Sequence, residues 1–258
     1  MKKRKEPVTC RKRTKDTQQI ISKYHTLAKQ LHQMKKLGNS DKVQSIEQEI
    51  HELGGLDTYQ RASLKGGDMN KGFGGSGRWL INQLKILFPK SNKQLTMLDV
   101  GAISGEVYMK HSFLKVTSID LNSQSPLVLK QDFFQRPIPT DDNDRFDIVS
   151  LSLVINFLTD PEQRGLMLSI VSKHLKPDGL FYLVLPLPCI SNSRYLNDKH
   201  LQHIIELLGY QLIVSHCSKK LVYYLFQLKN PPDLKCDVKK VLLDDGPKKN
   251  NFAITLNL

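Results

Sequence analysis

Residues Thr96 to Asn122 read TMLDVGAISGEVYMKHSFLKVTSIDLN. An apolar run ends in Leu98-Asp99-Val100-Gly101, a turn of small residues closes at Gly105, and a second apolar run ends in Ile119-Asp120. Two parallel strands joined in this way can hold a nucleoside at their carboxyl ends. Glycine in the first turn lets backbone approach the ligand, and an acid about 20 positions further on accepts hydrogen bonds from ribose hydroxyls. A short helix is expected between them, near 105–112.

Working outward, apolar runs predict strands at 96–100, 115–119, 127–131, 146–152, 180–185, near 211–216 and at 221–228. Helical spacing predicts helices from about Gly77 to Phe88, from Pro161 to Leu175 and over 198–208. Asp160 is placed to cap the second of these, with Pro161 at its first position, Gln163 reaching back and Pro177-Asp178-Gly179 ending it. Strands alternating with helices call for an α/β fold, a doubly wound and mostly parallel sheet covered on both faces. Beyond Lys229 the pattern weakens. Asn251 to Leu256 reads as a further strand, and an edge hairpin fits either 221–228 or 251–256.

The chain ahead of this domain divides into three. Residues 1–15 carry eight Lys or Arg against the single acid Glu6, in the clusters KKRK and RKRTK. Such a run cannot bury apolar surface, so it reads as a disordered arm that binds polyanions, serves as a nuclear address, or both. Within 16–53, Ile20, Tyr24, Leu27, Leu31 and Met34 form one apolar stripe, and Val43, Ile46, Ile50 and Leu53 form another, which predicts a helical hairpin turning at Gly38-Asn39-Ser40. Residues 54–78 hold eight glycines among polar residues and read as a surface loop or lid, with Tyr59, Gln60, Arg61 and Phe73 embedded in it. The main domain then spans 79–258.

The formal charge of +13 over 258 residues keeps a nucleic-acid partner in view. Cysteines at positions 10, 189, 217 and 236 form no C-x-x-C pair and have no histidine at metal-ligand spacing, so neither structural zinc nor another metal site is expected, and a reducing compartment is. The longest apolar run, Leu180 to Ile190, is broken by Pro186 and Pro188 and reads as a buried strand, not a membrane span.

Taken together, Asp99-x-Gly101-x-Ile103-x-Gly105, Asp120 ending strand two, Asp132-Phe133 after strand three and Phe146-Asp147-Ile148-Val149 opening strand four resemble the class I S-adenosylmethionine-dependent methyltransferases, a Rossmann-like fold with a seven-stranded sheet. The resemblance implies that Gly101 lines the methionine moiety, Asp99 orients the glycine turn, Asp120 binds the ribose hydroxyls, and Asp132 with Phe133 flanks the adenine. Ile103 stands where that pattern has its middle glycine, which bears on how well the turn holds the cofactor.

The flanks sharpen the likeness. Gly54-Gly55-Leu56, Tyr59-Gln60, Ala62-Ser63, Arg78-Trp79-Leu80, LDVGAISG and SLSLVINFLTDPEQRGLMLSIVSKHLKPDGLFYLVLPLPCI are similar to the fungal nucleolar large-subunit (25S) rRNA adenine-N1 methyltransferase family over roughly residues 50–258. The family implies S-adenosylmethionine as cofactor, large-subunit rRNA or a pre-ribosome as partner, and the nucleus, in particular the nucleolus, as location. Metazoan relatives include an S-adenosylmethionine sensor, so a binding protein or an assembly factor without methyl transfer stands as the alternative.

Strand four bears on the chemistry. Methylation of the exocyclic amine of adenine typically uses an N/D-P-P-Y/F segment there, and this chain has Ser150-Leu151-Ser152-Leu153. Methylation at C5 of a pyrimidine uses a cysteine nucleophile, and Cys189 lies after strand five beside Pro188. Adenine N1 presents an in-plane lone pair at neutral pH, so alignment with the sulfonium methyl suffices and no catalytic residue is expected. A paired adenine must be unpaired or flipped first, which an aromatic lid over 54–78 would suit.

Overall fold

The computed structural model describes residues 10–68, 75–89, 94–102, 104–230 and 236–258, and the chain divides into two compact units, Met1–Phe73 and Gly74–Leu258. Ile103 and Phe73 lie outside the described residues, as do residues 1–9 of the basic arm.

The first unit consists, as described, of α1 (Cys10–Lys36), α2 (Ser40–Glu52) and α3 (Gly55–Asp68). Two expectations change here. Helix α1 begins at Cys10, inside the stretch read as a disordered arm, and 55–68 of the expected loop is helical. The glycines that suggested a loop act at the helix ends instead. Gly38, at φ 66°, closes α1: its N–H donates to Lys35 O (3.2 Å) and that of Asn39 to Met34 O (3.1 Å). Asn39 then caps α2, its side chain accepting from Lys42 N–H at 3.1 Å. Gly54 (φ 88°) and Gly55 (φ 62°) turn α2 into α3. Between the glycines a face of Leu56, Tyr59 and Ala62 recurs at helical spacing, and Tyr59 and Ala62 are buried with Leu27. Tyr59 lies against Tyr24 (ring centroids 5.0 Å apart) and His25 (5.5 Å), so it is core, not an exposed stacking residue on a lid.

The second unit is built on a seven-stranded sheet: β1 (Leu95–Val100), β2 (Leu114–Asp120), β3 (Leu129–Lys130), β4 (Phe146–Ser152), β5 (Leu175–Pro186), β6 (Tyr210–Cys217) and β7 (Leu221–Leu228). Their order is β3-β2-β1-β4-β5-β7-β6, parallel except for β7, which runs antiparallel to both its neighbours. Strand order reverses between β1 and β4, which places a ligand crevice at their carboxyl ends. This is the sheet of the Rossmann-like class I methyltransferase fold.

Alternation along the strands sorts the core into two faces. Leu98, Val149, Phe181, Leu183 and Phe226 pack with α5 (Pro161–His174) and α6 (Asp198–Leu207). Met97, Ile148, Tyr182, Val184 and Leu225 pack with Leu80, Ile81 and Leu84 of α4 (Gly75–Leu87). At the amino edge, Asp147 accepts from Thr96 N–H and Thr96 Oγ1 (both 2.8 Å) and pairs with Lys176 (3.1 Å), tying β1, β4 and β5 together. Burial pushes the Asp147 carboxyl up, and these donors outweigh it, so its pKa lies below the ordinary value.

Several boundaries differ from expectation. The helix expected near 105–112 is a series of turns, with Met109 N–H on Glu106 O (3.3 Å) and His111 N–H on Tyr108 O (3.0 Å). Burial of Tyr108 against the sheet wins over local helical spacing there. Helix α5 ends at His174, and Pro177-Asp178-Gly179 forms a bulge within β5, with Asp178 at φ 58°. The expected strand over 127–131 shrinks to two residues, and that over 251–256 gives way to β9 (Leu256–Asn257), paired antiparallel with β8 (Asp237–Val238) outside the main sheet. The edge hairpin is therefore β6–β7. Asp160 caps α5 through Glu162 N–H (3.0 Å) with Pro161 following, as its sequence predicts.

The segment 250–256 is held to α5 by Arg164, 3 % exposed, whose guanidinium donates to Leu158 O (2.9 Å from Nε) and Ala253 O (2.5 Å) and lies over the Phe252 ring. Burial lowers the Arg164 pKa to about 10.

Candidate active site

The crevice between β1 and β4 gathers residues from β1, β2, β4, β5 and α4. Gly101, at φ 73°, leaves β1 in a conformation that an L side chain rarely adopts, and its N–H donates to Ile119 O at 2.8 Å. A Cβ there would meet Val154 in the turn after β4. Gly105, at φ 72°, approaches Leu127 and Val128 so closely that its Cβ would lie 3.1 Å from each side chain.

Asp99 sits one residue before the end of β1, in register with Ser118 of β2 and Ser150 of β4. It is 7 % exposed, and burial pushes its carboxyl up to about 7. The Ser150 hydroxyl lies beside it, outside strict hydrogen-bond geometry yet near enough to favour the anion in part. On the same face, Tyr182 of β5 donates its hydroxyl to Ser76 O (2.8 Å), and Ser152 and Ser76 meet hydroxyl to hydroxyl at 3.1 Å. The first turn of α4 is thereby fixed at the carboxyl edge. The buried phenols of Tyr108 and Tyr182 have raised pKa values, burial first and the Asp99 charge adding to it.

Asp120 ends β2, and its carboxylate accepts from Asn122 N–H at 2.8 Å, an Asx turn that fixes it next to the residue anchoring Gly101. Asp132 caps a turn of 3₁₀ helix through Phe134 N–H (2.9 Å). Phe133 is 3 % exposed and packs on His174 (centroids 5.2 Å apart), so its ring belongs to the core and is not presented to a ligand. The sequence expected that ring beside the adenine. In a Phe133-Phe134 pair the pattern does not say which ring turns inward.

Sequence reasoning missed Ser76, Tyr108, Tyr182 and Leu153. Leu153, directly after β4, has φ 61°, rare for a bulky residue, with its N–H on Val184 O (3.0 Å). Nothing in Ser-Leu-Ser-Leu signals it. Tyr182, within an apolar strand, carried a signal in its lone hydroxyl, which requires a partner when buried. Among the described residues no three His, Cys, Asp or Glu converge as metal ligands, and no helix is long and apolar enough to cross a membrane.

The profile of the family described as "25S rRNA (adenine(2142)-N(1))-methyltransferase, Bmt2" matches residues 44–254. The chain belongs to this Bmt2 family. Among curated Bmt2-like relatives, the 25S rRNA (adenine(2142)-N(1))-methyltransferase of Saccharomyces cerevisiae is 38% identical over 214 residues, 82% of this chain and 63% of its own length. The 25S rRNA adenine-N(1) methyltransferase of Schizosaccharomyces pombe is 34% identical over 249 residues, 91% of this chain and 89% of its own. Among solved structures, the Burkholderia thailandensis 1,6-didemethyltoxoflavin-N1-methyltransferase with bound S-adenosylhomocysteine superposes with a TM-score of 0.49 at 13% identity, over 66% of this chain and 87% of that one.

Proposed function

We propose that this chain transfers a methyl group from S-adenosylmethionine to N1 of an adenine in large-subunit rRNA. The observation that carries the reading is the family match over 44–254, whose described activity fits a crevice with a glycine turn, a fixed acid at the end of β2 and no amine-methylating tetrad at the end of β4.

The residues present suit the cofactor. Gly101 leaves room where any Cβ would press on Val154, and the buried Asp99 beside Ser118 and Ser150 offers acceptors in a confined space. Gly101 would face the methionine portion, with Asp99 orienting the glycine turn, Asp120 would face the ribose diol, and Asp132 the adenine edge. When bound, S-adenosylmethionine supplies an electrophilic methyl on a sulfonium. The chain's residues orient and exclude water. Adenine N1 would take up that methyl through its in-plane lone pair, and the chain's part would be to align the base with the cofactor that Gly101, Asp120 and Asp132 would hold. No proton moves, so no general base is needed.

The basic stretch at 1–15 supports an rRNA or pre-ribosome partner and a nucleolar location. The test is incubation with labelled cofactor and large-subunit rRNA stripped of protein, followed by nucleoside mapping. Label on adenine N1 is expected. Label on another base, or none at saturating cofactor, overturns the proposal.

A further inference from the structure

Beyond the crevice, the sheet's carboxyl edge carries an aromatic row. Trp79 of α4 stacks near-parallel with Tyr182 of β5 (centroids 5.7 Å, 18°) and with His216 of β6 (6.4 Å, 19°). Tyr223 of β7 closes on both, 5.6 Å from Trp79 and 5.5 Å from His216. Exposure rises along the row: Tyr182 is buried, Trp79 half-buried and His216 exposed. Tyr182 also bonds Ser76, so the row's inner end belongs to the wall of the crevice.

Its outer end lies beside a fixed cationic tip. His216 pairs with Tyr223 in register, and the strands turn two residues later through Ser218-Lys219-Lys220-Leu221. At about 3.3 Å per residue the tip stands within roughly 10 Å of the rings. The turn is rigid: Ser218 N–H donates to Leu221 O (2.8 Å), the Ser218 hydroxyl accepts from Leu221 N–H (3.0 Å), and Lys220 O accepts from Leu187 N–H (2.8 Å) after β5. Lys219 and Lys220 are exposed, and among the described residues neither forms an ion pair. From Leu207 to Pro232 the sequence contains no Asp or Glu, so no acid on the hairpin itself offsets the two lysines at its tip.

A half-exposed aromatic row leading to two unneutralised lysines is the chemistry of single-stranded RNA, whose unpaired bases stack on rings while phosphates meet the cations. An acidic peptide would meet the lysines and leave the rings unused. A packing role alone explains Trp79 on Tyr182 and leaves the exposed His216 and the paired lysines unaccounted for. We infer that Trp79, His216, Lys219 and Lys220 form a ledge that holds an unpaired rRNA nucleotide flanking the target adenine. The inference rests on the rRNA reading and adds the surface where the strand leaves the crevice.

Trp79 is the chain's single tryptophan, so fluorescence of the full-length protein reports on the ledge directly. The probe is a single-stranded, adenine-containing RNA 12-mer, with inorganic polyphosphate of matched charge as comparator. RNA is expected to quench Trp79 saturably, and polyphosphate to bind without quenching. His216→Ala should weaken RNA binding roughly fivefold or more. Lys219→Ala with Lys220→Ala should flatten the logarithmic salt dependence by roughly 1.4. Both variants should keep the wild-type melting temperature and cofactor affinity. RNA that binds without quenching, or equal affinity and salt slope in both variants, overturns the ledge. If rRNA is still labelled on adenine N1 in that case, the proposed activity stands without it. Quenching and weakened variants in a protein that labels no rRNA would leave the ledge as an RNA-binding surface and overturn both the activity and the ledge's place beside a target adenine.

Discussion

Gly101 at the end of β1 and Val154 in the turn after β4 stand so close that a Cβ on Gly101 would lie 2.7 Å from Val154 Cγ2. Two loops from strands adjacent in the sheet but far apart in sequence thus meet where the strand order reverses. The crevice is shaped by this contact as well as by the glycine's φ of 73°.

Gly101→Ala should therefore act twice. Holding alanine in the left-handed region costs about 1–2 kcal/mol, and the new methyl must displace Val154. The variant is expected to melt lower and to lose most cofactor affinity by calorimetry. Adding Val154→Ala should recover part of the loss by relieving the steric share. Full recovery in the double variant would show that the backbone conformation contributes nothing.

The buried Asp99 carboxyl links stability to pH. Its folded pKa is raised to about 7 from 3.8, so between those values the folded chain binds a proton that the unfolded chain has released. Stability from this group therefore falls as pH rises from about 4 to 7 and is level above, by up to about 4 kcal/mol for a shift of this size. Asp99→Asn should melt higher than wild type at pH 8 and nearly equal to it at pH 4.5 in the absence of cofactor. An equal difference at both values would contradict the raised pKa.

The sheet was legible because buried parallel strands write themselves as apolar runs. Leu221–Leu228 was placed to the residue, and the Asp160-Pro161 signal located the start of α5. What the sequence hid is decided by tertiary contacts. Tyr108 is buried at the expense of a helix over 105–112, and glycines at 54–55 mark a helix start although their abundance suggests a loop. In the site, Asp99, Gly101 and Asp120 lie around the carboxyl ends of β1 and β2, where strand-end reasoning puts them. Phe133 turned into the core, and Leu153 took a strained conformation that no residue pattern encodes.

Asp120 offers the cleanest separation of binding from folding. Asp120 is half-buried at the end of β2, and one of its bonds is the local one from Asn122 N–H. Asp120→Ala should lower the melting temperature only slightly while cofactor binding falls at least tenfold, and Asp120→Asn, which can keep the Asx turn, should retain more stability than affinity. Tight cofactor binding by the alanine variant in calorimetry would displace Asp120 from the ribose.

The carboxyl-terminal segment is bound to α5 at a point with no spare room. A Cβ on Gly165 would lie 1.8 Å from Thr255 O, and the preceding residue, Arg164, fills the same seam with bonds to Leu158 and Ala253 carbonyls. Gly165→Ala should push the segment off α5, uncovering Phe252, Ile254 and Leu256, all buried in the intact fold. Their loss would forfeit roughly 1.5–3 kcal/mol for each large side chain fully exposed. Limited proteolysis is expected to cut the variant within 239–250 far faster than wild type, with a clear drop in melting temperature. Arg164→Lys should give a milder form of the same result, since a single ammonium cannot span both carbonyls with a guanidinium's fixed geometry. Wild-type protease resistance in Gly165→Ala would mean that the segment is held by its contacts with Ser193 and Arg194 rather than by α5.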